Sequence, residues 1–236
     1  MNFQPASPAS VGAFVALCVA IVAAFLTGVR RSERHDGVAA GRRLIPVTVG
    51  LALWLGLLVV AVRTGFVAAS PMPRLPIFFG GIIIVSALAG FSPVGRWLAG
   101  SAPLAALVGF QAFRLPLELI LHHWAAGGTI PGTMTWTGQN WDIVTGVTAL
   151  VAAMFANRSP ASAWIANVIG IGLLVNVARV ALMSSPLPFA WPVTPPLLLA
   201  FHAPYALIAP VCVGGAAFGH VVLTRALLAR HSAQPG

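Results

Sequence analysis

The chain has 236 residues, of which 58% are hydrophobic and only 7% charged, and its mean hydropathy is +0.93. A soluble domain carries about 25% charged residues, so an ordinary water-soluble enzyme is excluded, and the chain is too apolar for disorder. The net charge of +9 comes from Arg alone, thirteen against four acids; with no Lys, no lysine Schiff base can form.

Apolar length, bounded by Arg, Pro and Gly clusters, predicts an all-α fold: one domain over 1–236, a polytopic bundle of seven transmembrane helices. The spans are expected at approximately 11–29, 44–63, 76–93, 103–125, 141–157, 163–183 and 197–220. The leader before the first span has no basic residue, whereas Arg30, Arg31 and Arg34 follow the span. That order is the reverse of a secretory signal and predicts a retained helix with its N-terminus outside. Cys18 and Cys212 fall inside apolar runs and read as small buried residues.

The fourth span carries Gln111, Arg114, Glu118 and His122 at spacings of three, four and four. At about 100° per residue these fall within roughly an 80° arc, one polar stripe that faces the bundle interior. Pro116, inside the stripe, is expected to kink the helix by leaving the Ala112 carbonyl without a donor. His123 lies about 100° off the stripe, toward the interface. The linker 133–143 is polar and free of basic residues, and ends in Asn140 and Asp142 at the start of the fifth span. Asp142 also reads as a first-turn acid favoured by the helix dipole, with Asn140 as its cap. Asn176 and Arg179 share a face of the sixth span. His202 and Tyr205 stand near the start of the seventh.

With seven spans and the N-terminus outside, the cytoplasmic side holds nine Arg: 30, 31, 34, 42, 43, 96, 158, 225 and 230. The outer side holds two, Arg63 and Arg74. This bias supports an N-out, C-cytoplasmic orientation in the plasma membrane. It also accounts for the basic charge without nucleic acid as a partner. Trp124, Trp136, Trp141 and Trp191 are expected at the outer interface. In this topology Glu118, His122, Asp142, Asn176, Arg179, His202 and Tyr205 converge on the outer half of the bilayer. Asn167 and His220 are the main polar residues of the inner half.

An ionisable group in hydrocarbon costs at least about 2.5 kcal/mol on insertion scales and needs a partner or a water-filled cavity. One reading follows directly: the two intramembrane Arg are neutralised by Glu118 and Asp142 in a structural network, as in a subunit of a larger membrane complex. The leading reading is an outward-facing intramembrane pocket that binds or transports a small polar or anionic molecule. Arg114 and Arg179 grip the ligand there, while Gln111, His122, Asn140, Asn176, His202 and Tyr205 supply polar contacts. The alternative is a membrane-embedded metalloenzyme with Glu118, His122 and His202 as metal ligands, or a haem held between His122 and His202. No cofactor is favoured, since two Arg compete for the same carboxylates and one Glu-x-x-x-His pair is a weak signal.

The middle of the chain, roughly 110–150, resembles an uncharacterised group of bacterial seven-helix membrane proteins. The pattern is an Arg-x-x-x-Glu helix followed by Met-Thr-x-x-Gly-x-Asn-x-Asp-Ile. Here it comprises Arg114, Glu118, Met134, Thr135, Gly138, Asn140, Asp142 and Ile143. The resemblance implies the topology, a bacterial plasma membrane and this choice of residues, and it implies no activity.

Overall fold

The computed structural model describes residues 2–232; Met1 and the last four residues of the predicted cytoplasmic tail lie outside the described residues. Among the described residues the regular structure is entirely helical. The α-helices are α1 Pro8–His35, α2 Leu44–Arg63, α3 Pro71–Phe91, α4 Pro93–Ser101, α5 Leu104–Gly109, α6 Arg114–Ala126, α7 Ile143–Phe155, α8 Pro160–Met183 and α9 Gly214–Ser232. Six segments are long and apolar enough to cross a membrane: α1, α2, α3 from Met72, the α5–α6 unit over Leu104–Ala126, α8, and Tyr205–Ser232 ending in α9. The chain is therefore an all-α, multi-pass membrane protein. The predicted fifth span is shorter than expected: α7 has 13 residues, about 20 Å at 1.5 Å per residue, against a hydrocarbon core of roughly 30 Å.

Proline and serine set the breaks. Ser92 is extended, ends α3, and accepts the Val94 N–H through its hydroxyl to start α4, with Pro93 in the first helical position. Pro103 opens α5 in the same extended conformation. Pro116 sits in the first turn of α6, and the residues behind it, Phe110–Phe113, tighten into a 3₁₀ turn. The missing N–H of Pro116 thus ends one helix and begins another, where the sequence suggested a kink within one.

The seventh span differs most from expectation. Pro186, Pro188, Pro192, Pro195, Pro196 and Pro204 hold residues 184–204 out of α-helix, leaving only a 3₁₀ turn at Leu199–Phe201. The membrane-length segment accordingly runs over Tyr205–Ser232 and not 197–220. It opens with a 3₁₀ turn and a π-helical turn, and it continues past the expected end because Leu223, Ala226 and Leu227 pack inward. This segment is the axis of the bundle: 72% of its most apolar 18-residue stretch is buried, against 11% for α2. The α2 face bearing Ile45, Val49, Leu53, Leu57 and Val60 is exposed and apolar, as a lipid-facing helix requires.

Contacts between loops sort them to two ends. At one end Arg43 lies over the Trp97 ring at 4.5 Å, Arg225 donates to the Gly90 and Ser92 carbonyls, and the Ala105 N–H donates to Asn157. Here the α1–α2 loop is tied down by Glu33, whose carboxylate accepts from the backbone N–H groups of Gly41, Arg43 and Leu44. Next to it, His35 and Arg43 hold the Asp36 carboxyl below its usual range. At the other end the Ala6 N–H donates to the Tyr205 hydroxyl at 2.9 Å, and Thr133 and Ser184 hydroxyls meet at 2.8 Å. Trp124, expected at the outer interface, is fully buried there and donates to Ser10.

Candidate functional site

The α6 helix presents Arg114, Leu117, Glu118 and Leu121 to the interior because positions three and four apart share a face. Opposite it, residues 127–142 fold into a compact cap over the short α7. Backbone bonds from Gly138 to Thr135, from Gln139 to Thr133 and from Asn140 to Thr135 hold the cap. Gly138 is needed at this point, since a Cβ there would lie 2.3 Å from the Gly132 carbonyl. Non-helical backbone at membrane depth survives only when protein covers it, and Thr129, Thr135 and Asn140 are indeed buried.

The Arg114 guanidinium is 1% exposed and reaches four groups. Nη1 donates to Asp142 Oδ1 at 2.5 Å and, at 3.4 Å, to Thr145 Oγ1 and the Gly170 carbonyl. Nη2 meets His220 Nε2 at 3.4 Å. Because Arg only donates, Nε2 is the accepting nitrogen and the proton sits on Nδ1, which donates to Asn167 Oδ1 at 2.8 Å. Asn167 Nδ2 donates to Thr224 Oγ1, and that hydroxyl donates to the His220 carbonyl. One charge pair therefore joins α6, α7, α8 and α9.

Asp142 thus pairs with Arg114 and makes no side-chain cap of α7. Asn140 is likewise no cap: Nδ2 donates to Glu118 Oε1 at 2.7 Å and to the Met134 carbonyl at 3.2 Å. Both partners are acceptors, which fixes the amide orientation and turns Asn140 Oδ1 away. Two buried acceptors, Glu118 Oε2 and Asn140 Oδ1, consequently have no hydrogen-bond partner. Both residues line a cavity of about 60 Å³, together with Arg114, Asp142, Met134 and Cys212. Apart from Ser185 its remaining wall is apolar, including Leu75, Phe79, Leu117, Leu174 and Val213.

The other expected site residues stand elsewhere. Gln111 is buried but donates to the Ala216 carbonyl and does not line the cavity. His122 is half-buried and stacks on Trp136 with ring centroids 4.2 Å apart. Asn176 and Arg179 bond to each other and to Gln139 in an exposed cluster, with Arg179 over Trp191. His202 stacks on Phe3 at 4.1 Å, and Tyr205 packs against Phe3 and Trp124. Burial pushes the His202 imidazole below its usual value.

Three corrections follow. Arg114 and Arg179 do not form a joint anion clamp, because one is enclosed with Asp142 and the other lies in the exposed Gln139 cluster. Glu118, His122 and His202 do not gather: among the described residues no three His, Cys, Asp or Glu are placed to hold a metal ion. Each imidazole is stacked on a different aromatic ring, His122 on Trp136 and His202 on Phe3. His220 and Asn167, assigned to a sparse inner half, belong to the Arg114 network. The shift of the last span toward the C-terminus moves His220 from a helix end to mid-helix, and the length of Arg114 covers the remaining reach.

Fold and site together define a multi-pass helical membrane protein with a buried ion-pair network beside a small, mostly apolar cavity. Comparison with protein-family models, with curated proteins and with solved structures gives no match for this chain.

Proposed function

We propose that this chain is a plasma-membrane protein, N-terminus outside and C-terminus cytoplasmic, that binds a small polar molecule in the Glu118 cavity. Seven passes follow if α7 and its cap cross together. The orientation rests on nine Arg at one end of the bundle against Arg63, Arg74 and the exposed Arg179 at the other.

The observation that carries the reading is that two residues lining the cavity, Glu118 and Asn140, each have a buried side-chain oxygen without a hydrogen-bond partner, Oε2 and Oδ1. A buried polar group without a partner costs roughly 1–3 kcal/mol, so a donor that enters the cavity and reaches either oxygen is stabilised there. Arg114 is already neutralised by Asp142, which leaves the Glu118 carboxyl as an ionisable group on the cavity wall with no salt-bridge partner. This favours a ligand with a cationic or hydrogen-bond-donating head over an anion. At about 15 Å³ of such space per water molecule, the cavity admits a body of only a few heavy atoms, and its walls favour an apolar one. The Arg114 network acts as the scaffold that fixes the Asp142 end of the cap.

The test is a thermal-shift titration of the purified protein with n-propylammonium and with propionate. A ligand that binds only the folded state raises the melting temperature. The expected result is a rise with n-propylammonium alone, abolished by Glu118→Gln. A rise with propionate that Arg114→Gln abolishes contradicts the proposal and restores an anion site.

A further inference from the structure

A second opening lies at the Arg-rich end of the bundle, away from the Glu118 cavity. It is a cleft of about 430 Å³ between α1, the α4–α5 break and α9. The cleft exists because several side chains along it are small: Ala24, Gly28 and Ala106 line it beside the Phe25–Phe218 pair, whose ring centroids are 5.3 Å apart. The helix break at Ala102 and Pro103 leaves its side open. Arg31 lies on the rim, exposed, with Thr27 and Ser101. Arg43, Arg114 and Arg225 all have protein partners, whereas Arg31 makes no hydrogen bond or ion pair among the described residues.

We infer that this cleft seats an anionic phospholipid of the cytoplasmic leaflet, one acyl chain in the groove and the phosphate on Arg31. Charge selects the occupant. A guanidinium at the end of an apolar, membrane-facing groove matches a molecule with a negative head and a hydrocarbon tail. Arg30, Arg34 and Arg96 are exposed at the same end and add to the positive field. A zwitterionic lipid fills the groove equally well but gains less at its head.

Native mass spectrometry of the full chain tests this, with equimolar phosphatidylglycerol and phosphatidylcholine of identical acyl chains. The chain is expected to retain phosphatidylglycerol at least fivefold over phosphatidylcholine. Arg31→Gln brings that ratio close to one while lipid is still retained. Ala106→Phe, which fills the groove from an exposed position, loses both lipids. A ratio near one in the unaltered protein overturns the inference, as does a preference that survives Arg31→Gln or lipid retention that survives Ala106→Phe. Melting temperatures of both variants show that neither result reflects unfolding.

Discussion

Arg114 and Glu118 lie one helical turn apart on the same face of α6, yet their surroundings give them different roles. Arg114 is enclosed by Asp142, Thr145, Gly170 and His220. Removing one partner of a buried pair strands the other charge, so Asp142→Asn is expected to lower stability by about 3–5 kcal/mol. Removing both charges in an Arg114→Met, Asp142→Leu double variant costs less than the sum of the single losses. Unfolding of the four proteins in mild detergent measures the cycle. His202 supplies a pH test outside the membrane-spanning segments. Its folded value is depressed by burial, so the unfolded chain binds the proton more readily, near pH ~6.5. The contribution is therefore present above that value and is lost as pH falls below it toward the folded value. The melting temperature should drop between pH 7.5 and 5, and His202→Phe should flatten that part of the profile. The polar stripe was legible at this scale because spacing alone puts Gln111, Arg114 and Glu118 on one face. The pairings were not, since Asp142 had a plausible local role as a first-turn acid and Asn140 as a helix cap, and only the folded cap decides between local and distant partners.

Among the elements, close approach between helices is set by glycine. A Cβ at Gly146 on α7 would lie 2.5 Å from the backbone nitrogen of Leu115, and one at Gly170 on α8 would lie 2.4 Å from the His220 ring. Gly172 has nothing within 4 Å. Gly146→Ala should therefore cost about 1–3 kcal/mol through overpacking, and Gly170→Ala should also disturb the Arg114 network through His220. Gly172→Ala should be neutral or stabilising by up to about 1 kcal/mol. Melting curves of the three variants check the order. Span positions in the first half of the chain were legible, because Arg and Pro clusters interrupt long apolar runs there. The last span was misplaced because Leu197–Phe201 is as apolar as a helix, and only the density of surrounding prolines argues against one. The break between α5 and α6 was half legible, since Pro116 marks it but does not say that the tightening falls before Arg114.

For the whole molecule, the bundle gathers around its last helix, and its polar interior holds two networks, one from Thr224 on α9 to Asp142 and one joining Glu118 to Asn140 in the cap, that line the same cavity. The composition announces membrane residence, and the Arg asymmetry announces which loops share an end; Arg225 bonded to Gly90 and Arg43 over Trp97 bear out that sorting of loops. What the sequence could not convey is the cap, which lets a helix of 13 residues occupy a place in the bundle by covering its end with folded backbone. The proposed orientation predicts that single cysteines at Thr137 and Ala39 react with an impermeant thiol reagent from opposite sides of the membrane. Labelling of intact cells against opened cells reads this directly, in a background where Cys18 and Cys212 are replaced by Ala. Reaction of both positions from the same side would contradict it.

The central claim is that the Arg114 charge is satisfied within the protein while the Glu118 carboxyl remains open to a donor from the cavity. Infrared difference spectroscopy of the carboxyl region on addition of n-propylammonium tests it at the group concerned. The account predicts a perturbed carboxyl band that vanishes in Glu118→Gln and persists in Glu33→Gln. A spectrum unchanged by the amine, or a perturbation that survives Glu118→Gln, would contradict it.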